Sequence, residues 1–484
     1  MNNLLIGDTI VAPATLPGTG AISIVRISGP DCFRIVDAVV QLKKGTVSES
    51  EAYTIHFGEI PGLDDVLVSV FRAPHSYTGE DSVEVSCHAS RYIVEELVRK
   101  LLAAGCRMAG PGEFTRRAFM NGKMDLAQAE AVADIISSKT AAAHRVAYNQ
   151  LRGGFSSELA SLRGELVEMT SLLELELDFS EEEVEFADRT RLLDLMDRIR
   201  SHVLKLADSF KYGNAVKNGV PVAIVGATNV GKSTLLNALV GEDRALVSDI
   251  AGTTRDTVEE VINLEGIPFR FIDTAGIRET DETVEQMGIE RTFRKISEAE
   301  IVIGMIDVTA QDSTIKSNLE LMVSKVDFDA QKLVLCLNKV DLGDEMGVNK
   351  NVSMINDFVT SLGKEIVTLK LAAKRGFGIS ELRTTLSSLE SHLIPNSDTT
   401  FVTNIRHYES LRQTADSLAD ARLALTSGTP SDLVAEDLRR AISSLNQSSA
   451  KTSSTLNPSC TISSGITASA SKSISYDFLT KVQL

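Results

Sequence analysis

The chain has 484 residues, 43% of them hydrophobic, which is enough for about three domains of ordinary size. Its 49 basic and 66 acidic residues leave a net charge of −17, which excludes indiscriminate binding to a nucleic-acid backbone and leaves only local patches for such a partner. Cys32, Cys87, Cys106, Cys336 and Cys460 have neither zinc nor disulfide spacing. No run of about eighteen apolar residues and no basic-then-apolar leader occurs, so the expectation is a cytoplasmic protein without a membrane partner.

At the start of the chain, β-branched runs at Ile22–Ile27, Val66–Phe71 and Ser82–Cys87 alternate with Gly/Pro turns, and one helix is expected near Ile93–Ala104. That pattern predicts an α+β module over residues 1–122. Helical period then takes over at Ala127–Ser138 and Leu159–Leu177. An acidic segment from Asp178 to Glu185 reads as a solvated turn, and helical period continues from Arg191 to about Tyr212. Residues 123–216 are therefore assigned to the first part of a helical domain.

The apolar run Val222–Val225 feeds Gly226-Ala-Thr-Asn-Val-Gly-Lys-Ser233, the pattern of a phosphate-binding loop. Gly226 and Gly231 allow a turn tight enough to aim successive N–H groups, including those of Asn229, Val230 and Thr234, at phosphate oxygens. Lys232 would reach the terminal phosphates and Ser233 would offer its hydroxyl to Mg²⁺. Leu235, Leu236 and Leu239 supply the apolar face of a following helix, whose N-terminus favours anions.

Two switch-like elements follow. In Gly252-Thr-Thr-Arg-Asp256, Thr254 is the hydroxyl candidate for Mg²⁺, and Arg255 and Asp256 are candidates for the chemistry. After Phe269–Ile272 comes Asp273-Thr274-Ala275-Gly276, in which Asp273 would hold Mg²⁺ through water and Gly276 would bring an N–H to the γ-phosphate. The next residue is Ile277, where Ras-like proteins use a water-positioning glutamine. A hydrocarbon cannot orient a nucleophile. Asn229, with carbonyls of the 248–253 loop, could hold a monovalent cation, and Arg278, Glu282 and Glu285 remain as candidates for arranging water.

Further on, the run Leu333–Leu337 ends in Asn338-Lys339-Val340-Asp341. A carboxylate in the base plane accepts from both the N1–H and the amine of guanine, so Asp341 is expected to select GTP over ATP. Ala372-Ala373-Lys374 stands where a base-contacting Ser-Ala-Lys is usual. These signatures place a GTPase domain at 217–383. Helical period resumes from about Asn404 to Leu445, giving the second part of the helical domain, 384–446. The expected fold class is multidomain, α+β and α/β: an N-terminal α+β domain and a helical domain interrupted by an inserted Ras-like P-loop domain. Residues 447–484 are rich in Ser and Thr and are expected to be disordered.

Over nearly its whole length, up to about residue 446, the chain resembles the tRNA-modification GTPase family MnmE (TrmE). The resemblance is carried by Asp8-Thr-Ile-Val-Ala12, Tyr77-Thr-Gly-Glu-Asp81, Pro111-Gly-Glu-Phe-Thr-Arg-Arg-Ala-Phe119, Asp125-Leu-Ala-Gln-Ala-Glu130 and Asp249-Ile-Ala-Gly-Thr-Thr-Arg-Asp256. It implies a folate-binding N-terminal domain that dimerises, and a G domain activated by K⁺-dependent dimerisation. On this resemblance Asn229, Ser248, Ile250 and Thr253 would coordinate K⁺, and Ser233 and Thr254 would coordinate Mg²⁺. Glu285 would position the attacking water. Arg26, Glu84 and Lys123 would contact a tetrahydrofolate derivative, 5-formyl or 5,10-methylene.

The implied partners are a second copy of the chain, the flavoprotein MnmG, which alone brings FAD, and tRNA. The implied product is an aminomethyl or carboxymethylaminomethyl group on C5 of the wobble uridine. Family members end in Cys-x-Gly-Lys, whereas this chain ends Asp477-Phe-Leu-Thr-Lys-Val-Gln-Leu484 and its Cys460 has no Gly-Lys after it. The expectation is GTP hydrolysis with poor tRNA modification. A GTP-switched ribosome or RNP assembly factor, or a folate-binding protein with a regulatory G domain, are the alternative classes. The N-terminal module and the lack of a visible basic appendage favour the modifying enzyme.

Overall fold

The computed structural model describes residues 7–178, 189–243, 260–272, 296–391 and 400–448. They form two compact units, one of 7–136, 150–172 and 442–448, the other of 137–149, 173–178, 189–243, 260–272, 296–391 and 400–441.

The first unit is built on a seven-stranded sheet in the order β3-β4-β5-β6-β2-β1-β7. Its strands are β1 (Ile10–Pro13), β2 (Ile22–Ser28), β3 (Gln41–Leu42), β4 (Thr54–Ile60), β5 (Asp64–Phe71), β6 (Ser82–His88) and β7 (Arg107–Met108). All neighbours pair antiparallel except β1 with β7. Val66, Val68 and Val70 alternate with more exposed residues along β5 and point into one core, as a half-buried strand requires. Helices α1 (Cys32–Val39) and α2 (Arg91–Ala103) close that face with Ile35, Val36, Leu97 and Leu101. Leu97 and Leu101 are wholly buried, each stabilising the fold by about 1.5–3 kcal/mol.

The sequence predicts one helix here, and the unit adds α1 and α3 (Glu113–Met120), each eight residues long. Little more than two turns is too short for helical period to stand out. Helix α4 (Leu126–Ser137) follows. A helix not foreseen, α5 (Ala141–Leu151), falls almost wholly in the second unit, and the long α6 (Gly154–Asp178) after it lies mostly in the first.

In the second unit, α7 (Arg189–Asn218) runs into β8 (Val220–Gly226) through Gly219. Gly219 has φ 87° and lies where a Cβ would meet Arg270 Cβ at 3.0 Å. The six-stranded sheet has the order β13-β12-β11-β8-β10-β9. It comprises β9 (Glu260–Leu264), β10 (Ile267–Phe271), β11 (Ile301–Asp307), β12 (Lys332–Asn338) and β13 (Ile366–Lys370) with β8, and only β9 runs antiparallel to its neighbour. β11 and β12 are almost continuously apolar because both faces are covered.

On one face, α8 (Lys232–Asp243) and α11 (Ile379–Leu389) bury Leu235, Leu236, Leu239, Leu382 and Leu386. On the other, α9 (Asp312–Val323) and α10 (Glu345–Ser361) bury Ile315, Leu319, Val352 and Ile355. This is the expected α/β P-loop domain, with helices on both faces of its sheet. Helix α12 (Ile405–Thr426) packs along α7, and Gly213 of α7 permits a close approach, since a Cβ there would sit 2.2 Å from the Val402 carbonyl oxygen. The helical pattern expected from 404 to 445 is broken into α12 and α13 (Ser431–Ser448). Gly428, at φ 74°, turns the chain just before Pro430, a combination that ends a helix.

Candidate functional site

The phosphate loop leaves β8 at its C-terminal end and enters α8 at Lys232. Gly226 and Gly231 are both required by close approach: a Cβ at 226 would meet the Met305 carbonyl oxygen at 2.6 Å, and one at 231 would meet Asn338 Nδ2 at 2.4 Å. Asn229 adopts the left-handed conformation at φ 59°, which asparagine tolerates better than most residues. Val230 is buried, Ser233 is half-buried at the first turn of α8, and Thr234 is exposed. The Lys232 ammonium donates to the carbonyls of Gly226 and Ala227, both at 2.9 Å, and so is folded over the loop it serves.

Asn338, at the end of β12 and only 4% exposed, ties the two ends of the site together. Its Nδ2 donates to the Val230 carbonyl at 2.7 Å, and its Oδ1 accepts from the Ala373 amide at 3.0 Å. The phosphate loop and the Ala372-Ala373-Lys374 turn are thereby held by one side chain. Lys339 has φ 68° and donates to Asp307 Oδ2 at 2.6 Å. Thr309 gives Asp307 Oδ1 a backbone and a hydroxyl hydrogen bond at 2.9 and 2.6 Å. Burial opposes the charge on Asp307, but Lys339 and Thr309 outweigh it and hold the carboxyl below its ordinary range. Asp341 pairs with Arg375, Nε to Oδ2 at 2.8 Å.

Sequence reasoning singled out Asn338, Lys339 and Asp341 but missed their supports, Asp307 and Arg375. Asp307 carried a signal: it closes the apolar run of β11 and sits opposite Asn338 in the parallel register. Arg375 carried none, being one exposed cation among many. The expected residues Ser248, Ile250, Thr253, Thr254, Arg255, Asp256, Asp273, Thr274, Ala275, Gly276, Ile277, Arg278, Glu282 and Glu285 lie outside the described residues, as do 179–185 and the segment from 449 to 484 that holds Cys460.

In the first unit, Arg26 on β2 and Glu84 on β6 stand directly opposite in the antiparallel register. Arg26 Nε donates to Glu84 Oε1 at 2.8 Å. The guanidinium lies over the rings of Tyr77 and Phe114, 5.2 and 5.6 Å from their centroids, within cation–π range. Tyr77 in turn shares a 2.8 Å hydrogen bond with Thr115. Lys123 reaches the Pro74 carbonyl at 3.0 Å, and its stem lies against Gly79, where a Cβ would come within 3.1 Å of Lys123 Cγ. Lys123 thus lies along the same 74–79 loop that supplies Tyr77.

Beneath the loop, α3 is anchored by charge. Arg117 pairs with Asp8 at 2.5 Å, Glu80 at 3.1 Å and Glu113 at 3.3 Å, while Arg107 pairs with Asp8 at 2.5 Å and Glu113 at 2.6 Å. Burial works against the carboxylates of Asp8 and Glu113, and the two guanidiniums outweigh it, so both carboxyls sit below their ordinary values. Asp8, Glu80, Glu113 and Arg117 all belong to the sequence motifs that carry the family resemblance, and their ion pairs tie α3 to the loops around it.

Among the described residues no three His, Cys, Asp or Glu side chains gather as a metal cluster, and no helix is long and apolar enough to cross a membrane.

Two family models match the chain, "GTP-binding protein TrmE N-terminus" over residues 9–123 and "MnmE helical domain" over residues 126–454. The tRNA modification GTPase MnmE of Bacteroides thetaiotaomicron is 49% identical over 441 residues, covering 90% of this chain and 94% of the relative. The protein of the same description from Flavobacterium johnsoniae is 48% identical over 443 residues, covering 90% and 93%. Among solved structures, Aquifex aeolicus Era bound to GDP.AlF4- is 28% identical, with a TM-score of 0.27 over 40% of this chain and 65% of that one.

Proposed function

Because the chain belongs to the tRNA modification GTPase MnmE (TrmE) family, we propose that it is a K⁺-stimulated GTP hydrolase acting on tRNA with MnmG. In this reading it adds an aminomethyl or carboxymethylaminomethyl group to C5 of the wobble uridine, drawing the one-carbon unit from a tetrahydrofolate derivative. It works as a homodimer in the cytoplasm. The observation that carries the GTPase half is the joining of the phosphate loop to the base-side loop through Asn338. That arrangement preorganises both halves of a nucleotide site before the ligand arrives.

The donor set suits hard cations, since Ser233 offers a hydroxyl and Asn229 an amide oxygen. Ser233 and Thr254 would hold Mg²⁺, and Asn229 with Ser248, Ile250 and Thr253 would hold K⁺. These ions would neutralise charge developing on the phosphate oxygens. The chain's own groups do the rest: Lys232 binds the terminal phosphates, Gly276 brings an amide to the γ-phosphate, Asp341 reads the base and Glu285 orients water. In the N-terminal domain, the Arg26–Glu84 pair with Lys123 offers cations for a folate's glutamate tail and an acceptor for pterin donors. Tyr77 and Phe114 flank that pair with apolar surface.

The test is GTP turnover in KCl against NaCl at equal ionic strength, with the parent chain and Asn229→Ala. Turnover is expected to be much faster in K⁺ for the parent, with the difference abolished in the variant. Equal turnover of the parent in both salts would remove the cation argument. Wobble-uridine modification with purified MnmG, with and without the folate, tests the tRNA half.

A further inference from the structure

Each residue of the base-reading strand end is held by a different partner. Asn338 is fixed by Val230 and Ala373, and Lys339 by Asp307. For Asp341, Arg375 is that partner. We propose that Arg375 is a specificity-determining positioning residue, which orients the Asp341 carboxylate for two-point recognition of guanine. The inference rests on the guanine-reading role proposed for Asp341.

The loop that presents Arg375 is rigid for identifiable reasons. Ala373–Arg375 form one 3₁₀ turn, in which the Arg375 amide donates to the Ala372 carbonyl at 2.8 Å. Gly376, at φ 75°, ends that turn, and Ala372 bridges back to Phe377 with its amide on the Phe377 carbonyl at 3.1 Å. Gly378, at φ 79°, permits a close return, because a Cβ there would sit 2.3 Å from the Lys370 carbonyl oxygen. The Asn338 contact to the Ala373 amide pins the same turn to the strand end from which Asp341 projects. The Arg375 backbone is therefore delivered to a fixed place beside Asp341, although its side chain is 69% exposed.

The chemistry of the contact decides what it does. The Arg375 guanidinium sits against one carboxylate oxygen of Asp341 as an ion pair, Nε to Oδ2 at 2.8 Å, and a carboxylate oxygen has more than one acceptor direction. A carboxylate drawn to the guanidinium this way still offers both oxygens to the N1–H and amine of guanine, while the ion pair limits how far it swings. Without Arg375 the carboxylate rotates about its terminal torsion, which is broad. Rotation costs a two-point ligand more than a one-point ligand. Inosine nucleotides, which lack the exocyclic amine, supply that comparison.

The experiment is equilibrium binding of GDP and IDP to the full chain, using a fluorescent GDP analogue and competition, for the parent, Arg375→Ala, Arg375→Lys and Asp341→Asn. Arg375→Ala is expected to weaken GDP about threefold, the scale of an exposed ion pair, and to weaken IDP less, so that the preference for GDP narrows. Arg375→Lys keeps the charge but loses the planar guanidinium and carries it on a more flexible stem, and is expected to recover less than half of the loss. Tighter GDP binding by Arg375→Ala would mean that the arginine competes with the base, and would overturn the proposal. An unchanged GDP-to-IDP ratio, or full recovery by lysine, would also overturn it. Asp341→Asn separates the two levels: if it leaves the GDP preference intact, the guanine-reading role itself fails, whatever Arg375 does.

Discussion

Replacing Asn338 by alanine removes the strut between the two halves of the nucleotide site, and its cost can be worked from the contacts. The side chain makes two hydrogen bonds, at 2.7 and 3.0 Å, to the Val230 carbonyl and the Ala373 amide. Asn338, Val230 and Ala373 are 4%, 2% and 4% exposed, so water is poorly placed to replace the lost amide. A buried polar group left without a partner costs about 1–3 kcal/mol, and two such groups put the total at roughly 2–5 kcal/mol after partial relaxation. Part of this appears as lost stability before any nucleotide is added, at about 2–4 °C of melting temperature per kcal/mol for a domain of this size. The remainder appears as weaker GDP binding, because the phosphate loop and the Ala373 turn are no longer held in register; a share of 2 kcal/mol corresponds to roughly thirtyfold. Thermal unfolding of nucleotide-free protein and GDP titration measure the two shares separately. Asn338→Asp keeps an acceptor for the Ala373 amide but sets an oxygen against the Val230 carbonyl, so it is expected to be no milder than alanine. A nucleotide-free variant that melts with the parent and binds GDP within threefold of it would refute the strut.

Three further outcomes are expected. Asp8 and Glu113 have folded-state pKa values below their ordinary 3.8 and 4.5. Their contribution to stability is therefore fully present above about pH 4.5 and lost as pH falls through the folded values. Urea midpoints followed from pH 6 down to about pH 3 should drop through this window, and Glu113→Gln should flatten the drop; parallel curves would deny the network its role. Burial pushes the thiols of Cys87 and Cys106 up to about 11 and that of Cys336 up to about 12, and raises Cys32 as well. At pH 8 these four should resist alkylation until the protein unfolds, and rapid labelling of any of them in the native state, mapped by mass spectrometry, would contradict the packing. Glu285→Ala should slow single-turnover GTP hydrolysis about 10²-fold with little change in GTP affinity, since a group that orients water acts chiefly in the transition state. A rate matching the parent would leave Glu285 with no part in the chemistry.

The sequence by itself determined the elements whose function depends on neighbouring residues. A phosphate loop works through consecutive backbone amides, so Gly226 to Ser233 is legible as a unit, and the apolar runs at Val222 and Leu333 announce the buried parallel strands that frame the site. Likewise Asn338-Lys339-Val340-Asp341 carries its expected base preference in one short segment. The partners that hold those residues were not legible, because strand register and crossover bring them together from far along the chain. Arg26 meets Glu84 across 58 residues, Lys339 meets Asp307 across 32, and Asn338 meets Val230 across 108. The short α1 and α3 and the break between α12 and α13 were also decided by tertiary structure. Eight residues carry too little period to declare a helix, and a turn at Gly428 matters only once the helices on either side have faces to bury. Contiguous chemistry is written locally. The charges and amides that position it are chosen by the packing, where a buried polar group must find a partner wherever the fold delivers one.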